Sequence, residues 1–139
     1  MANVHLTHLP DADAPRRTQL DAVLRQTLMQ AREALRLVCG DFNSTPDGPV
    51  LRPLLDTGRR PSIRDAYVHG GGAEPRGTLP PGEGRAGVAS PCLDLILSVA
   101  EAPDAHPMLR DARVTLDRPE PGTDIMPSDH YGVAVTVAW

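Results

Sequence analysis

The run Leu35-Arg36-Leu37-Val38-Cys39 stops abruptly in Gly40-Asp41-Phe42-Asn43, and this junction constrains the chain more than any other stretch. An apolar run ending in a glycine, a carboxylate and a carboxamide is how a buried strand delivers polar groups to the rim of a sheet. Residues two apart on extended backbone share a face, so Asp41 and Asn43 point together while Phe42 anchors the turn from the other side. Such a pair can hold a metal ion or a phosphate. The same residues also suit a plain strand end followed by an Asx-type turn and a helix cap, and the junction alone leaves both readings open.

Further strands and helices can be placed around that rim. Residues 3–9 read as a short strand with His5 and His8 near its end. Over residues 16–32, Leu20, Val23, Leu24, Leu28 and Ala31 recur at helical spacing after the start signals Asp13 and Pro15, predicting an outer helix with a solvated charged face. Residues 35–41 are apolar almost throughout, as in a strand covered on both sides. Asp47 and Pro49 predict a second helix that buries Val50, Leu51, Leu54 and Leu55 and stops at Gly58. Residues 69–91 are crowded with Gly and Pro and form a long loop, either substrate-facing or plain surface.

Leu93, Leu95, Leu97 and Val99 alternate with Asp94, Ile96 and Ser98 in a strand with apolar character on both faces. The carboxylate at its start must be paired or solvated. Residues 112–116 read as another short strand and 119–124 as a turn. A last strand, 132–139, sets Val133, Val135, Val137 and Trp139 on one face and brings Asp129 and His130 to the rim of Asp41 and Asn43.

A chain of 139 residues suits a single domain. The net charge is −4 and all 14 basic residues are arginine, so no strongly basic nucleic-acid surface is evident. Bound metal could still attract phosphate to such a protein. Cys39 and Cys92 lie in or beside apolar runs and read as buried free thiols rather than a disulfide. No leader opens the chain, and no apolar run approaches the roughly 20 residues of a membrane helix. This reads as a soluble, cytoplasmic protein, with export left open because Met1 need not be the natural start.

Taken in order, Asn3-Val4-His5-Leu6, Gly40-Asp41-Phe42-Asn43, Leu93-Asp94-Leu95-Ile96-Leu97-Ser98 and Ser128-Asp129-His130 resemble the later motifs of the endonuclease/exonuclease/phosphatase superfamily. Deoxyribonuclease I, apurinic endonucleases, inositol polyphosphate phosphatases and neutral sphingomyelinases belong to it. The resemblance implies phosphate ester hydrolysis with Mg²⁺ or Mn²⁺ on a nucleic acid, phospholipid or inositol phosphate. It implies that His5 contacts the scissile phosphate and serves as an acid, Asp41 orients or deprotonates the attacking water, and Asn43 binds a phosphoryl oxygen or metal. His130 would contact phosphate, with Asp94 fixing its ring, and Asp129 would add negative charge for metal. The implied metal set is Asp41, Asn43, Asp129 and His130. The Asp94–His130 pairing has its own rationale, since a carboxylate partner selects a histidine tautomer and favours its cationic form. Ile63-Arg64-Asp65-Ala66-Tyr67 resembles a family segment in which Asp65 is given no catalytic role, and Thr78 falls where many members have Gly-Thr.

The chain also departs from the family pattern. Complete members are longer, and their first half supplies an Asn and a Glu that are the chief metal ligands. Glu33, Glu74, Glu83, Glu101 and Glu120 sit in helical or loop contexts, and none ends an apolar strand. Cys92 stands where many members carry Arg, which removes a cation. Residues 1–139 therefore resemble the C-terminal half of the family domain. The expected fold is α/β, a mixed sheet of about five or six strands with helices on one face, half of a four-layer αββα sandwich. Its other face, uncovered, would favour self-association. The functions to be weighed are a metal-dependent phosphoesterase (phosphodiesterase, nuclease or phosphatase), truncated and weakly active alone, and a non-catalytic remnant that binds a partner or a phosphorylated ligand.

Overall fold

A computed structural model describes residues 1–30, 35–74, 76–80 and 90–138. Its elements are β1 (Ala2–His5), α1 (Asp13–Leu28), β2 (Leu37–Asp41), β3 (Ser62–Asp65), α2 (Ala66–His69), β4 (Asp94–Ala100), β5 (Met108–Thr115) and β6 (Gly132–Ala138). The expected end of the first helix at residues 31–32, Glu33, Glu83, much of the 69–91 loop and Trp139 lie outside the described residues.

The fold is α/β with a mixed sheet, as expected. Four strands pair in the order β1-β2-β4-β3, with β1 parallel to β2 and the other pairs antiparallel. Instead of extending this sheet, β5 and β6 form a separate antiparallel ribbon. The ribbon is tied to the end of α2, where the Ala112 N–H donates to the Gly70 carbonyl. Gly70 allows this approach, because a Cβ there would lie 2.9 Å from the Cβ of Ala112.

The alternation along the strands separates two faces. Val38, Leu95, Leu97, Val99 and Ile63 turn to one side and form the core with Leu20 and Leu24 of α1. The opposite face carries His5, Cys39, Asp41, Asp94, Ile96 and Ser98, as the cross-strand registers require. Leu37, Cys39 and Ile96 on that face are half-buried. None of the exposed large apolar residues belongs to the four strands of the sheet, so the expected apolar exposure is only partly met.

Two local expectations are revised. Residues 47–58 bury Val50 and Leu51 as expected but form successive turns rather than a helix. Pro53 has no N–H to donate, and its ring blocks a continuing helix, so isolated bonds such as Arg52 N–H to Gly48 C=O do not propagate. Arg16, one turn before Leu20 on the inward face of α1, is a charged residue that is buried rather than solvated. It donates from Nε to the Thr7 carbonyl at 2.8 Å and from a terminal nitrogen to Leu9 at 2.7 Å, pinning the β1–α1 connection.

His106 fastens the far end of the site-bearing face. Its Nδ1 lies 2.8 Å from Ser98 Oγ and its Nε2 3.0 Å from Ser62 Oγ, so one ring bridges β4 and β3. Burial, reinforced by Arg64 and His69, pushes its pKa down to about 4, and Asp56 opposes this only in part. A group whose folded pKa is depressed contributes stability that is full above its unfolded value and is lost as pH falls through the folded one. The urea midpoint should therefore drop as pH is lowered from 6.5 toward about 4. His106→Gln should flatten that part of the profile. A wild-type slope unchanged in the variant would show that His106 is not responsible.

Candidate active site

The site starts from the junction at the end of β2. Gly40 has φ 130°, and a Cβ there would run into the Val4 carbonyl of β1, so only glycine lets the strands pair this closely. Beyond it, the chain is stitched to both neighbours: the Leu6 N–H donates to the Asp41 carbonyl, and the Phe42 N–H to the Leu93 carbonyl, each at 2.9 Å. Phe42 is fully buried beneath this turn.

The registers pair His5 with Asp41 and Asp41 with Asp94, placing three polar side chains in a row across β1, β2 and β4. Asn43 then folds back onto Asp41. Its backbone N–H donates to Asp41 Oδ1 at 2.7 Å, and its Nδ2 donates to Asp41 Oδ2 at 3.1 Å and to the Leu6 carbonyl at 2.9 Å. Asn43 itself has left-handed backbone, at φ 48°, a conformation asparagine tolerates better than most residues. The Asx-type turn of the plainer reading is thus present, though no helix follows it directly, and the turn itself aims both side chains. His5 Nε2 lies 3.6 Å from Asp41 Oδ2, on a side chain that is 70% exposed.

His130 arrives from the segment before β6, and its Nδ1 donates to Asp94 Oδ2 at 2.8 Å. Burial disfavours the charged ring, but the hydrogen bond and charge of Asp94, with the charges of Asp41 and Asp129, outweigh it and raise the His130 pKa. The bond to Asp94 also commits Nδ1, leaving Nε2 as the ring nitrogen without a protein hydrogen bond among the described residues. Asp129 is exposed and, among the described residues, makes only a local hydrogen bond, accepting from Ser128 Oγ at 3.2 Å. His8, also exposed, has no place in the row.

The expected metal set is not assembled. Among the described residues, no three His, Cys, Asp or Glu side chains gather into a group that could hold a metal ion. Asp41 accepts from Asn43 through both oxygens and Asp94 accepts from His130, which leaves each Asp41 oxygen a lone pair but gathers no further carboxylate of the described residues beside it. The described residues therefore do not fit a self-sufficient Mg²⁺ or Mn²⁺ site.

Two residues of the aperiodic loop take unexpected places. Thr78, in a loop expected to be either substrate-facing or plain surface, is wholly buried. Cys92, where the resemblance has a cation, instead accepts from a cation, Arg76, whose Nε donates to Cys92 Sγ at 2.9 Å. Burial pushes the Cys92 thiol up to about 11 despite this cation, so it stays protonated. Arg76 also makes a buried two-pronged contact with Asp65, at 3.3 and 2.6 Å, and stacks 4.2 Å from the centre of the Tyr67 ring. Asp65 is thereby structural, and it also accepts from the Tyr67 N–H to start α2. Nothing in the sequence spacing signals Arg76, because its loop has no periodicity to read.

The fold is of the deoxyribonuclease I-like class. The sequence model of the Endonuclease/Exonuclease/phosphatase family matches residues 2–130, and the chain belongs to that family. Similar solved structures include a functionally unknown conserved protein from Enterococcus faecalis, 20% identical with TM-score 0.67, covering 98% of this chain and 48% of that one. A truncated Caenorhabditis elegans TDP2 is 18% identical with TM-score 0.66, covering 97% of this chain and 52% of that one. A humanised D. rerio TDP2 carrying 14 mutations is 19% identical with TM-score 0.68, covering 99% and 54%. The chain spans about half the length of these structures. At such identities the likeness is one of fold. No curated protein matches the chain. Among the described residues no helix is long and apolar enough to cross a membrane.

A direct test of the His130 environment is an NMR titration of its ring. His130 should titrate above the ordinary 6.5, and Asp94→Asn should lower its pKa by removing the neighbouring charge. A pKa that does not move in Asp94→Asn would show that the 2.8 Å contact is not what holds the proton.

Proposed function

We propose that this chain supplies the phosphate-contacting half of a phosphoester hydrolase. The observation that carries the reading is the row His5–Asp41–Asp94 with His130 bonded to its last member. A ring whose pKa is raised and whose Nε2 has no protein hydrogen bond among the described residues suits a phosphoryl oxygen, because in its charged form it is a charge-assisted donor that binds such an oxygen strongly and stabilises charge developing in the transition state. Asp41 is the carboxylate placed to orient or deprotonate an attacking water, and exposed His5 beside it is a proton donor for the leaving group. Asn43, with its amide nitrogen tied back, keeps its carbonyl oxygen for substrate or an ion.

Mg²⁺ or Mn²⁺ needs ligands beyond those gathered here, which supports residues 1–139 as the C-terminal half of a domain whose other half carries them. Nucleic acid, phospholipid and inositol phosphate all present the required phosphate ester, and nothing in the rim selects among them. The alternative is a non-catalytic remnant that binds a partner or a phosphorylated ligand, and hydrolysis separates it from this reading.

Hydrolysis of bis(p-nitrophenyl) phosphate with Mg²⁺ or Mn²⁺ tests the reading. The chain alone should turn over slowly, because misplacing metal and water costs about a hundredfold or more, and Asp41→Ala and His130→Ala should remove what remains. Robust metal-dependent turnover that both substitutions abolish would contradict the half-site. Turnover indifferent to both would contradict the phosphoesterase reading.

A further inference from the structure

Asp94 and His130 belong to different sheets. Asp94 opens β4 in the four-stranded sheet, and His130 precedes β6 in the ribbon, and no ladder joins the two sheets among the described residues. A 2.8 Å hydrogen bond across such a seam needs something to set the separation of its two sides. Thr78 stands at that seam with bonds to both.

Its Oγ1 accepts the N–H of Leu93 at 2.9 Å and of Asp94 at 3.1 Å, while its own N–H donates to the Pro91 carbonyl at 3.0 Å. Its carbonyl accepts the N–H of Tyr131, the residue next to His130, at 2.7 Å. One fully buried residue thus holds the backbone of Asp94 through its side chain and the backbone beside His130 through its main chain. The neighbours of Thr78 make this clamp stiff. Ser90 Oγ bonds both the N–H and the carbonyl of Leu79, and a Cβ at Gly77 would collide with the Ser90 side chain, so residues 77–79 lie tightly against 90–91.

We infer that Thr78 is a positioning residue: its hydroxyl and carbonyl set the distance between Asp94 and His130 across the seam, and so the aim of the His130 ring. The inference rests on the proposed function only for its catalytic consequence. The geometric claim is separate from it.

Thr78→Val keeps the shape and removes the acceptor, whereas Thr78→Ser keeps the acceptor and removes the methyl group. The readout is the downfield ¹H resonance of the His130 Nδ1–H, identified by its loss in Asp94→Asn, together with amide exchange at Leu93, Asp94 and Tyr131. In Thr78→Val the resonance should be lost or broadened, and exchange at Leu93 and Asp94 should speed at least tenfold. Thr78→Ser should match the wild type in both. If Thr78→Val does not fold, Thr78→Cys, a close match in size with a weak acceptor, should show the same loss in milder form. An unchanged His130 resonance in Thr78→Val, or in Thr78→Cys where that is the variant read, would overturn the inference. Loss of the resonance in Thr78→Ser would also overturn it, by showing that the methyl packing matters instead.

Hydrolysis measured on the same variants separates the two claims. A resonance that depends on the hydroxyl, with hydrolysis indifferent to His130, would sink the proposed function and leave the positioning role intact. Hydrolysis that needs His130, with a resonance indifferent to Thr78, would do the reverse.

Discussion

Asp41 and Asp94 sit directly opposite each other on adjacent strands, an arrangement that is unfavourable in itself because like charges in that position repel. Much of the rim answers this constraint. Asn43 gives two N–H groups to Asp41, His130 gives its ring N–H to Asp94, and His5 stands within 3.6 Å on the far side. The repulsion is thereby turned into a local demand for positive charge. His130 meets part of that demand, and the rest is what a phosphate-binding site would use to hold a cation or a protonated donor.

The supports of the rim are apolar and ionic, and they lie on the other side of the sheet. Phe42 and the α1 leucines fill the space under β2 and β4. Arg76 and Asp65 form a desolvated pair at the end of β3, with the Arg76 side chain 1% exposed and the Asp65 side chain 3%. Such a pair is weak evidence for net stability, but losing one partner strands a buried charge, at a cost of about 3–5 kcal/mol. The polar face can be wet and reactive because the opposite face is packed.

The sequence was most informative where a strand meets its end. Leucines and valines at period two, stopping at Gly40-Asp41 or starting at Asp94, mark both the strands and the residues they carry to the rim. The α1 helix was legible from Leu20, Leu24 and Leu28 for the same reason of periodicity. Residues 47–58 misled because burial of Val50 and Leu51 does not depend on helical hydrogen bonds, which Pro53 interrupts. The division into two sheets was not legible, since each strand's pattern reports its faces and not its partner. The places of Thr78 and Arg76 were hidden for a further reason: each acts through contacts with distant residues from a loop without a repeat. The separate placement of Asp129 likewise reflects a short polar turn, Ser128 to His130, whose side-chain directions no periodicity sets.

In the proposed function, one phosphoryl group is received by the rim formed by His5, Asp41, Asn43 and His130. Chemical-shift mapping of the labelled chain during titration with inorganic phosphate measures it most directly. Concentration-dependent shifts should concentrate on the rings of His5 and His130 and the side-chain amide of Asn43, and those of His5 and Asn43 should be lost in His130→Ala. Shifts centred instead on the arginines of the α1 side, such as Arg25, Arg59 and Arg60 around one groove, with the rim silent, would contradict it.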